Sequence, residues 1–412
     1  MEKLAVFGGK PIRGKPLGKW PMIGDEEKKV VIKVLESGKL FASMYSGDQV
    51  PKFEEEFASV MGVDHAVAVS SGSAALDIVL RTIGIDVGDE VITTPYTFIA
   101  TATSIFHNDG IPVFADVDIR TRNIDPSEIK EKITDKTKAI IVVHLAGQPV
   151  EMDEIMEIAA KHNLYVIEDC AQAHLAEYKG KKVGGIGDVA IFSFQESKNM
   201  TAGEGRMITT NNEKIAEMAC SLREHGRKRD KPWYYHEYLG WNYRMTEIQA
   251  AILRVQLKRL LEITEERHRN AVILDKILSK FDFVNARYVA PYVKHVYHLY
   301  LVDYVPEILG ISKSQFVKVL RIEGIPITEG YMWPVYSNPV FSNPERHPTC
   351  IKRLVGKLEY PKGLCPNAEK LCYETGLWFH GSVLNVDPKE LEDIEKALEK
   401  IESNKEELKK LK

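Results

Sequence analysis

The chain has 412 residues, 44% of them hydrophobic and 28% charged, with 55 basic side chains against 59 acidic ones and a net charge of −4. That length buries a large core and predicts two or three domains, while the near-neutral charge gives no case for a nucleic-acid or membrane-surface partner. No apolar run approaches the ~18 residues that span a bilayer, and the opening Met1–Gly9 lacks the apolar core of a signal peptide, so a cytoplasmic location is expected.

From about Asp64 to Thr210, short apolar runs alternate with amphipathic stretches. Strands are predicted at Ala66–Val69, Glu90–Thr93, Val113–Asp116, Ala139–Val143, Tyr165–Glu168, Val189–Ser193 and Met207–Thr210. Helices lie between several of them, for example Ser73–Thr82 and Asp153–His162. Continuous apolar strands separated by helices predict a mostly parallel sheet covered on both faces, with ligands bound beyond the carboxyl ends of the strands. After Thr210 the pattern becomes helical. Asn212–His225 reads as one helix, and Thr246 to about Lys280 as a long one whose capped start is Thr246-Glu247. The remainder is mixed α/β, with loops at Trp333-Pro334 and Asn343-Pro344 and a charged amphipathic helix over Pro388–Lys412. Residues 1–260 are assigned to an N-terminal segment with a large domain, and 261–412 to a small C-terminal domain.

Cys170, Cys220, Cys350, Cys365 and Cys372 are scattered and without CxxC spacing, which fits reduced thiols. His347, Cys350, Cys365, Cys372 and His380 are too irregularly spaced for a zinc site, and no metal is expected. There is no Walker A, HExxH or GxGxxG motif.

The chemistry lies in five short segments. Ser70-Ser71-Gly72-Ser73-Ala74 follows a strand and opens a helix, so its free N–H groups and the Ser73 hydroxyl suit an anion; an ordinary helix cap is the competing reading. Phe98, in Pro95-Tyr96-Thr97-Phe98, is placed to stack on a flat ring, or to be plain core. Asp169 ends a strand and is followed by Gln172; a carboxylate there suits the nitrogen of a pyridine ring, with structural capping as its rival. Ser193 and Lys198 follow the next strand, ahead of Ala202-Gly203-Glu204-Gly205, whose glycines allow a tight turn. A lysine amine holds an aldehyde cofactor as a Schiff base and moves protons, whereas a solvated surface lysine is the bland alternative. Gly240-Trp241-Asn242-Tyr243-Arg244-Met245 presents an amide and a guanidinium just before the long helix. Each segment alone is weak. Their order, anion turn, stacking aromatic, strand-end Asp and then Lys, points to a pyridoxal 5′-phosphate (PLP) enzyme of fold type I.

These residues resemble the DegT/DnrJ/EryC1/StrS sugar aminotransferase family over nearly the whole chain. The resemblance rests on Phe53-Glu54-x-x-Phe57-Ala58, Ser71-Gly72-Ser73-Ala74-Ala75-Leu76, Gly88-Asp89-Glu90-Val91-Ile92, Glu168-Asp169-x-Ala171-Gln172-Ala173-His174 and Asn242-Tyr243-Arg244-Met245-x-x-x-Gln249-Ala250. Gly8-Gly9-Lys10-Pro11, Trp20-Pro21, Phe194-Gln195-x-x-Lys198 and Cys365-Pro366-x-Ala368-Glu369-x-x-Cys372 are similar to the branch holding 3-amino-5-hydroxybenzoate synthase and the glutamine:scyllo-inosose aminotransferases.

The resemblance implies PLP, and its amino form PMP, on a mostly parallel central sheet flanked by helices, with a smaller α/β domain after it. It makes Lys198 the Schiff-base lysine, Asp169 the partner of the pyridine nitrogen and Gln172 a contact of the ring oxygen. It places Ser73, Ala74 and Ser193 at the phosphate and Phe98 on the ring. Asn242 is implied to reach the phosphate of a neighbouring subunit, so a homodimer with shared active sites is the least functional unit. The implied reaction moves an amino group from glutamate or glutamine to a keto sugar, nucleotide-linked or free, or to a keto-cyclitol, with His174, His225 and Arg244 as candidate acceptor ligands. Dehydration chemistry of the aminohydroxybenzoate synthase kind uses the same lysine and is the alternative, and a PLP-binding paralogue without activity is a third. The family usually reads Gly-Glu-Gly-Gly after the lysine loop. This chain carries Arg206 at the last position, which is expected to alter the local surface or the dimer contact.

Overall fold

The apolar runs of the first half assemble into one sheet. A computed structural model describes residues 2–41, 47–228, 230–346 and 358–411. The strands are β1 (His65–Val69), β2 (Glu90–Thr93), β3 (Ile111–Phe114), β4 (Thr137–Val143), β5 (Tyr165–Asp169), β6 (Val189–Ser193) and β7 (Arg206–Thr210). Their order across the sheet is β1-β7-β6-β5-β4-β2-β3. The pairs from β6 to β3 are parallel, and β7 runs antiparallel to both neighbours. The strands are apolar throughout because both faces are covered. Helix α1 (Gly72–Thr82) packs Leu76, Val79 and Leu80 on one face with Val67, Val69 and Ile191. On the other face Phe53 and Phe57, from the helix Gln49–Met61, pack against Phe192 and Phe194, with ring centroids 5.1–5.7 Å apart.

Helix α2 (Glu247–Leu278) joins two cores. Thr246 caps it, accepting from the Gln249 N–H at 3.3 Å while Gln249 Oε1 accepts from the Thr246 N–H at 3.0 Å. This reciprocal pair satisfies two of the free donors at the helix start. Ala250, Leu253, Leu257 and Leu260 of α2 belong to the core beneath the large sheet, whereas Ala271, Leu274, Ile277 and Leu278 belong to a second core. The second core is built on an antiparallel sheet of β8 (Val284–Ala286), β9 (Leu299–Tyr304), β10 (Ile327–Thr328) and β11 (Gly376–His380), in the order β8-β9-β11-β10.

Two sequence expectations change here. The N-terminal segment, assigned with the large domain, packs with the small one: Leu4 and Leu17 sit in the second core. It is tied there by Lys400, whose Nζ donates to the Lys10 carbonyl at 2.7 Å and pairs with Glu323 at 2.9 Å, and by Arg13 bridging Asp393 at 2.8 Å. The final helix is also not continuous. A 3-10 turn at Pro388–Leu391 leads into Glu392–Ser403, and Asn404 separates this from the short turn Lys405–Leu408. The Asn404 side chain donates to the Lys400 carbonyl at 2.8 Å and to the Glu2 carbonyl at 3.0 Å, which ends the helix there. Cys365 and Cys372 lie in an aromatic cluster with Phe114, Tyr336 and Phe341; His347 and Cys350 fall outside the described residues.

Candidate active site

The predicted chemistry gathers at the carboxyl ends of β5 and β6. Asp169 is the last residue of β5 and only 5% exposed. One carboxylate oxygen accepts from Thr101 Oγ1 at 3.0 Å and the other from the Ala171 N–H at 3.1 Å. Thr101 lies in the helix Ala100–His107 after β2 and contacts Thr97 Oγ1 at 3.2 Å. Nothing in the type or spacing of this threonine marks it in the sequence; only the fold brings it across to Asp169. Gln172 is held by the Ala146 N–H, which donates to its Oε1 at 2.6 Å, so its NH2 group is the end left to donate.

Lys198 sits on the connection between β6 and β7. The loop is closed by Phe194 N–H to the Gly205 carbonyl at 2.8 Å, Glu196 N–H to Gly203 at 3.0 Å and Lys198 N–H to Gln195 at 2.9 Å. Gly203 and Gly205 adopt φ of +84° and +130°, a region costly for any side chain. A Cβ on Gly205 would also stand 3.0 Å from Met245 Cε. Removal from water lowers the Lys198 ammonium to about 8; the Arg206 charge pushes the same way and Asp169 opposes it. No hydrogen bond to a described residue occupies the Lys198 amine.

Further residues pin the loop from outside. Trp20 Nε1 donates to the Glu196 carbonyl at 2.6 Å, and His380 Nε2 lies 3.0 Å from the Ser197 carbonyl. Asn199 Oδ1 accepts from Arg267 at 2.8 Å and lies 3.2 Å from His298 Nδ1. Burial lowers Arg267 to about 9 and holds His298 well below the usual imidazole range. Sequence reading named none of these as site residues, although the Trp20-Pro21 motif had flagged the first.

The anion turn and its neighbours lie at the end of β1. Ser73 and Ala74 occupy the first turn of α1, with Ala74 2% exposed. The Ser70 N–H donates to the Tyr243 carbonyl at 2.8 Å, which ties the turn to the 240–245 segment. Ser193, the last residue of β6, is fully buried, and its Oγ accepts weakly from the Gln195 N–H at 3.4 Å. Phe98, after β2, leaves 59% of its surface uncovered. Asn242 is exposed, beside the stacked rings of Trp241 and Tyr243.

The three acceptor candidates are not brought together. His174 is fully buried between Phe192 and Phe194, with ring centroids 5.4 and 5.7 Å away, and burial lowers it to about 3. It is a neutral ring beneath the lysine loop, out of reach of a molecule arriving from solvent. Arg244 lies 3.8 Å from Glu224 and pairs across a single bridge with Val69. His225 adjoins His236 at 6.3 Å, and burial and then Arg244 lower its pKa. These two belong to the rim beyond β1.

A flat heteroaromatic aldehyde phosphate fits this arrangement. Lys198 offers an amine with no partner among the described residues, Asp169 a fixed carboxylate, Gln172 an amide NH2 and Phe98 an uncovered ring face. The α1 turn and the buried Ser193 lie at the ends of strands β1 and β6, which flank β7.

The DegT/DnrJ/EryC1/StrS aminotransferase family matches residues 21–354. The chain is similar to an L-glutamine:2-deoxy-scyllo-inosose aminotransferase of Streptomyces kanamyceticus, 33% identical over 415 aligned positions covering 97% of each chain. Among solved structures, an aminotransferase from Psychrobacter cryohalolentis superposes with a TM-score of 0.85 at 35% identity, covering 95% of this chain and all of that one. A 3-amino-5-hydroxybenzoic acid synthase superposes with a TM-score of 0.82 at 29% identity, over 95% and 99%. Profile and relatives agree: the chain belongs to the DegT/DnrJ/EryC1/StrS aminotransferase family and is a PLP-dependent aminotransferase.

Proposed function

We propose that this enzyme takes an amino group from glutamine or glutamate and delivers it to the keto group of a sugar, free or nucleotide-linked, or of a cyclitol. The observation that carries the reading is the desolvated Lys198 amine on the loop beyond β6, without a partner among the described residues and within electrostatic reach of Asp169. The glutamine-dependent cyclitol relative, aligned over nearly the whole chain, supports the donor and the acceptor class.

Bound PLP supplies the carbonyl that exchanges amines and the ring that takes up carbanion charge. Lys198 would hold the cofactor and, with its amine free, would be the base that takes the proton from the donor's α-carbon. Asp169, fixed by Thr101 and the Ala171 N–H, keeps a proton on the ring nitrogen. Gln172 donates to the ring oxygen, its amide oriented by Ala146. Ser73, Ala74 and Ser193 bind the phosphate, and Phe98 covers the ring. Asn242, exposed on its own protomer, completes the phosphate site of a second subunit in a homodimer. Arg244 and His225, on the rim, are the acceptor contacts.

An absorbance spectrum of the purified protein tests this directly. Glutamine or glutamate is expected to convert the lysine-linked cofactor band to that of PMP, and a keto sugar or keto-cyclitol to restore it. A protein that takes up no PLP, or whose band neither donor changes, sinks the reading. The likeness to 3-amino-5-hydroxybenzoic acid synthase favours a second product. Aromatic amino acid formed from an aminodehydroshikimate-type substrate, with no amination of keto sugars, would select it.

A further inference from the structure

Arg206 departs from the family pattern, and the structure puts its side chain inside the protein. It opens β7, which lies between β1 and β6. Arg206 pairs in register with Val69, the last residue of β1, and with Ser193, the last residue of β6. One strand end leads into the 70–74 turn and the other into the lysine loop. Paired residues on neighbouring strands stand about 5 Å apart and point to the same face. Val69 packs with Ala75, Leu76 and Val79, so this is the face that α1 covers. The alternate residues Met207 and Phe192 lie in the opposite cluster. Arg206 therefore stands between the two strand ends that carry Ser73–Ala74 and Ser193, on the side of the α1 N-terminus.

Arg206 is 9% exposed, and its Nε is buried with no hydrogen-bond partner. Among the described residues no carboxylate forms an ion pair with it; Asp169 and Glu204 act on it only through space, and burial outweighs both. A desolvated cation without a counter-anion is costly, and the guanidinium fork matches phosphate oxygens. We propose that Arg206 is a further ligand of the cofactor phosphate, adopted by this chain at a place where the family usually has glycine. The proposal rests on the phosphate position given under Proposed function. It makes the phosphate site of one protomer more cationic than the serine turn alone.

The test compares apoprotein binding of PLP, of pyridoxal, which lacks the phosphate, and of inorganic phosphate as competitor, in the wild type, Arg206→Gly and Arg206→Lys. Arg206→Gly is expected to weaken PLP by ~10–100-fold, to affect pyridoxal far less, and to weaken competition by phosphate. Arg206→Lys recovers part of the loss. Equal losses for PLP and pyridoxal overturn the proposal. So does unchanged PLP affinity with a raised KM for the amino donor, which would place the guanidinium on the donor's carboxylate. If Arg206→Gly does not fold, Arg206→Gln replaces it, and failure of phosphate to compete with PLP on the wild type overturns the proposal by itself. A wild-type chain that takes up no PLP removes the functional reading as well, whereas the other adverse outcomes remove only the role of Arg206.

Discussion

A lysine acts as a nucleophile only after losing its proton, and Lys198 is placed to do so readily. Burial and the Arg206 charge lower its ammonium to about 8 from an ordinary 10.5. The neutral amine is the attacking form, so the rate at which apoprotein captures PLP should rise with pH, with a midpoint near 8. Stopped-flow absorbance measures this, and a rate still climbing above pH 10 would mean that the amine is solvated. Replacing Lys198 with Ala should remove both the lysine-linked absorbance and turnover. Asp169→Asn should keep the fold, since the amide oxygen can still accept from the Ala171 N–H while the Thr101 hydroxyl turns to accept from the amide NH2. It should slow the amino-donor half-reaction on the order of 10²-fold or more, because the ring nitrogen loses its charged partner. An unchanged rate in single-turnover spectra would show that another group faces that nitrogen.

The lysine loop is an element whose shape depends on distant parts of the chain. Asn199, next to Lys198, accepts from Arg267 of α2, and Arg267 also donates to Asn385 at 2.6 Å. Truncating Asn199 to Ala leaves a buried guanidinium short of an acceptor, which costs about 1–3 kcal/mol. Denaturant unfolding should show that loss, and PLP capture should slow because the loop loses its anchor; full stability would remove the network from this account. The start of α2 offers a cleaner measurement, since Thr246 and Gln249 cap it reciprocally. Thr246→Ala should cost ~1 kcal/mol, read in denaturant unfolding.

At the scale of the molecule, α2 belongs to both cores, and the N-terminal segment returns to the second. The lysine loop therefore receives Trp20 from the N-terminus, Arg267 from α2 and His380 from the C-terminal sheet, so segments of both cores fix its shape. A second subunit is proposed to complete it through Asn242. Mixing inactive Lys198→Ala protein with inactive Asn242→Ala protein should then restore part of the activity, because one site of each mixed dimer carries neither change. Mixtures that exchange subunits yet stay inactive would confine Asn242 to its own protomer.

The parallel sheet and its strand ends were readable in the chain because fully buried strands are continuous apolar runs, so a carboxylate closing Tyr165–Asp169 and a lysine just after Val189–Ser193 stand out. The capped start of α2 was equally local, a Thr with a Gln three residues on. The break at Asn404 was not, because it depends on a bond to Glu2, 402 residues away. Nor was the placement of Leu4 and Leu17, whose apolarity shows that they are buried but not where. Thr101, Arg267 and His380 reach the site only through tertiary contacts, and His174, near the motif in sequence, is turned away from it into the core. Periodicity and spacing specify which residues must leave water and which can meet within one element. Whether a buried arginine such as Arg206 faces a core or an anion is decided by strand register, which joins segments that are far apart in the chain.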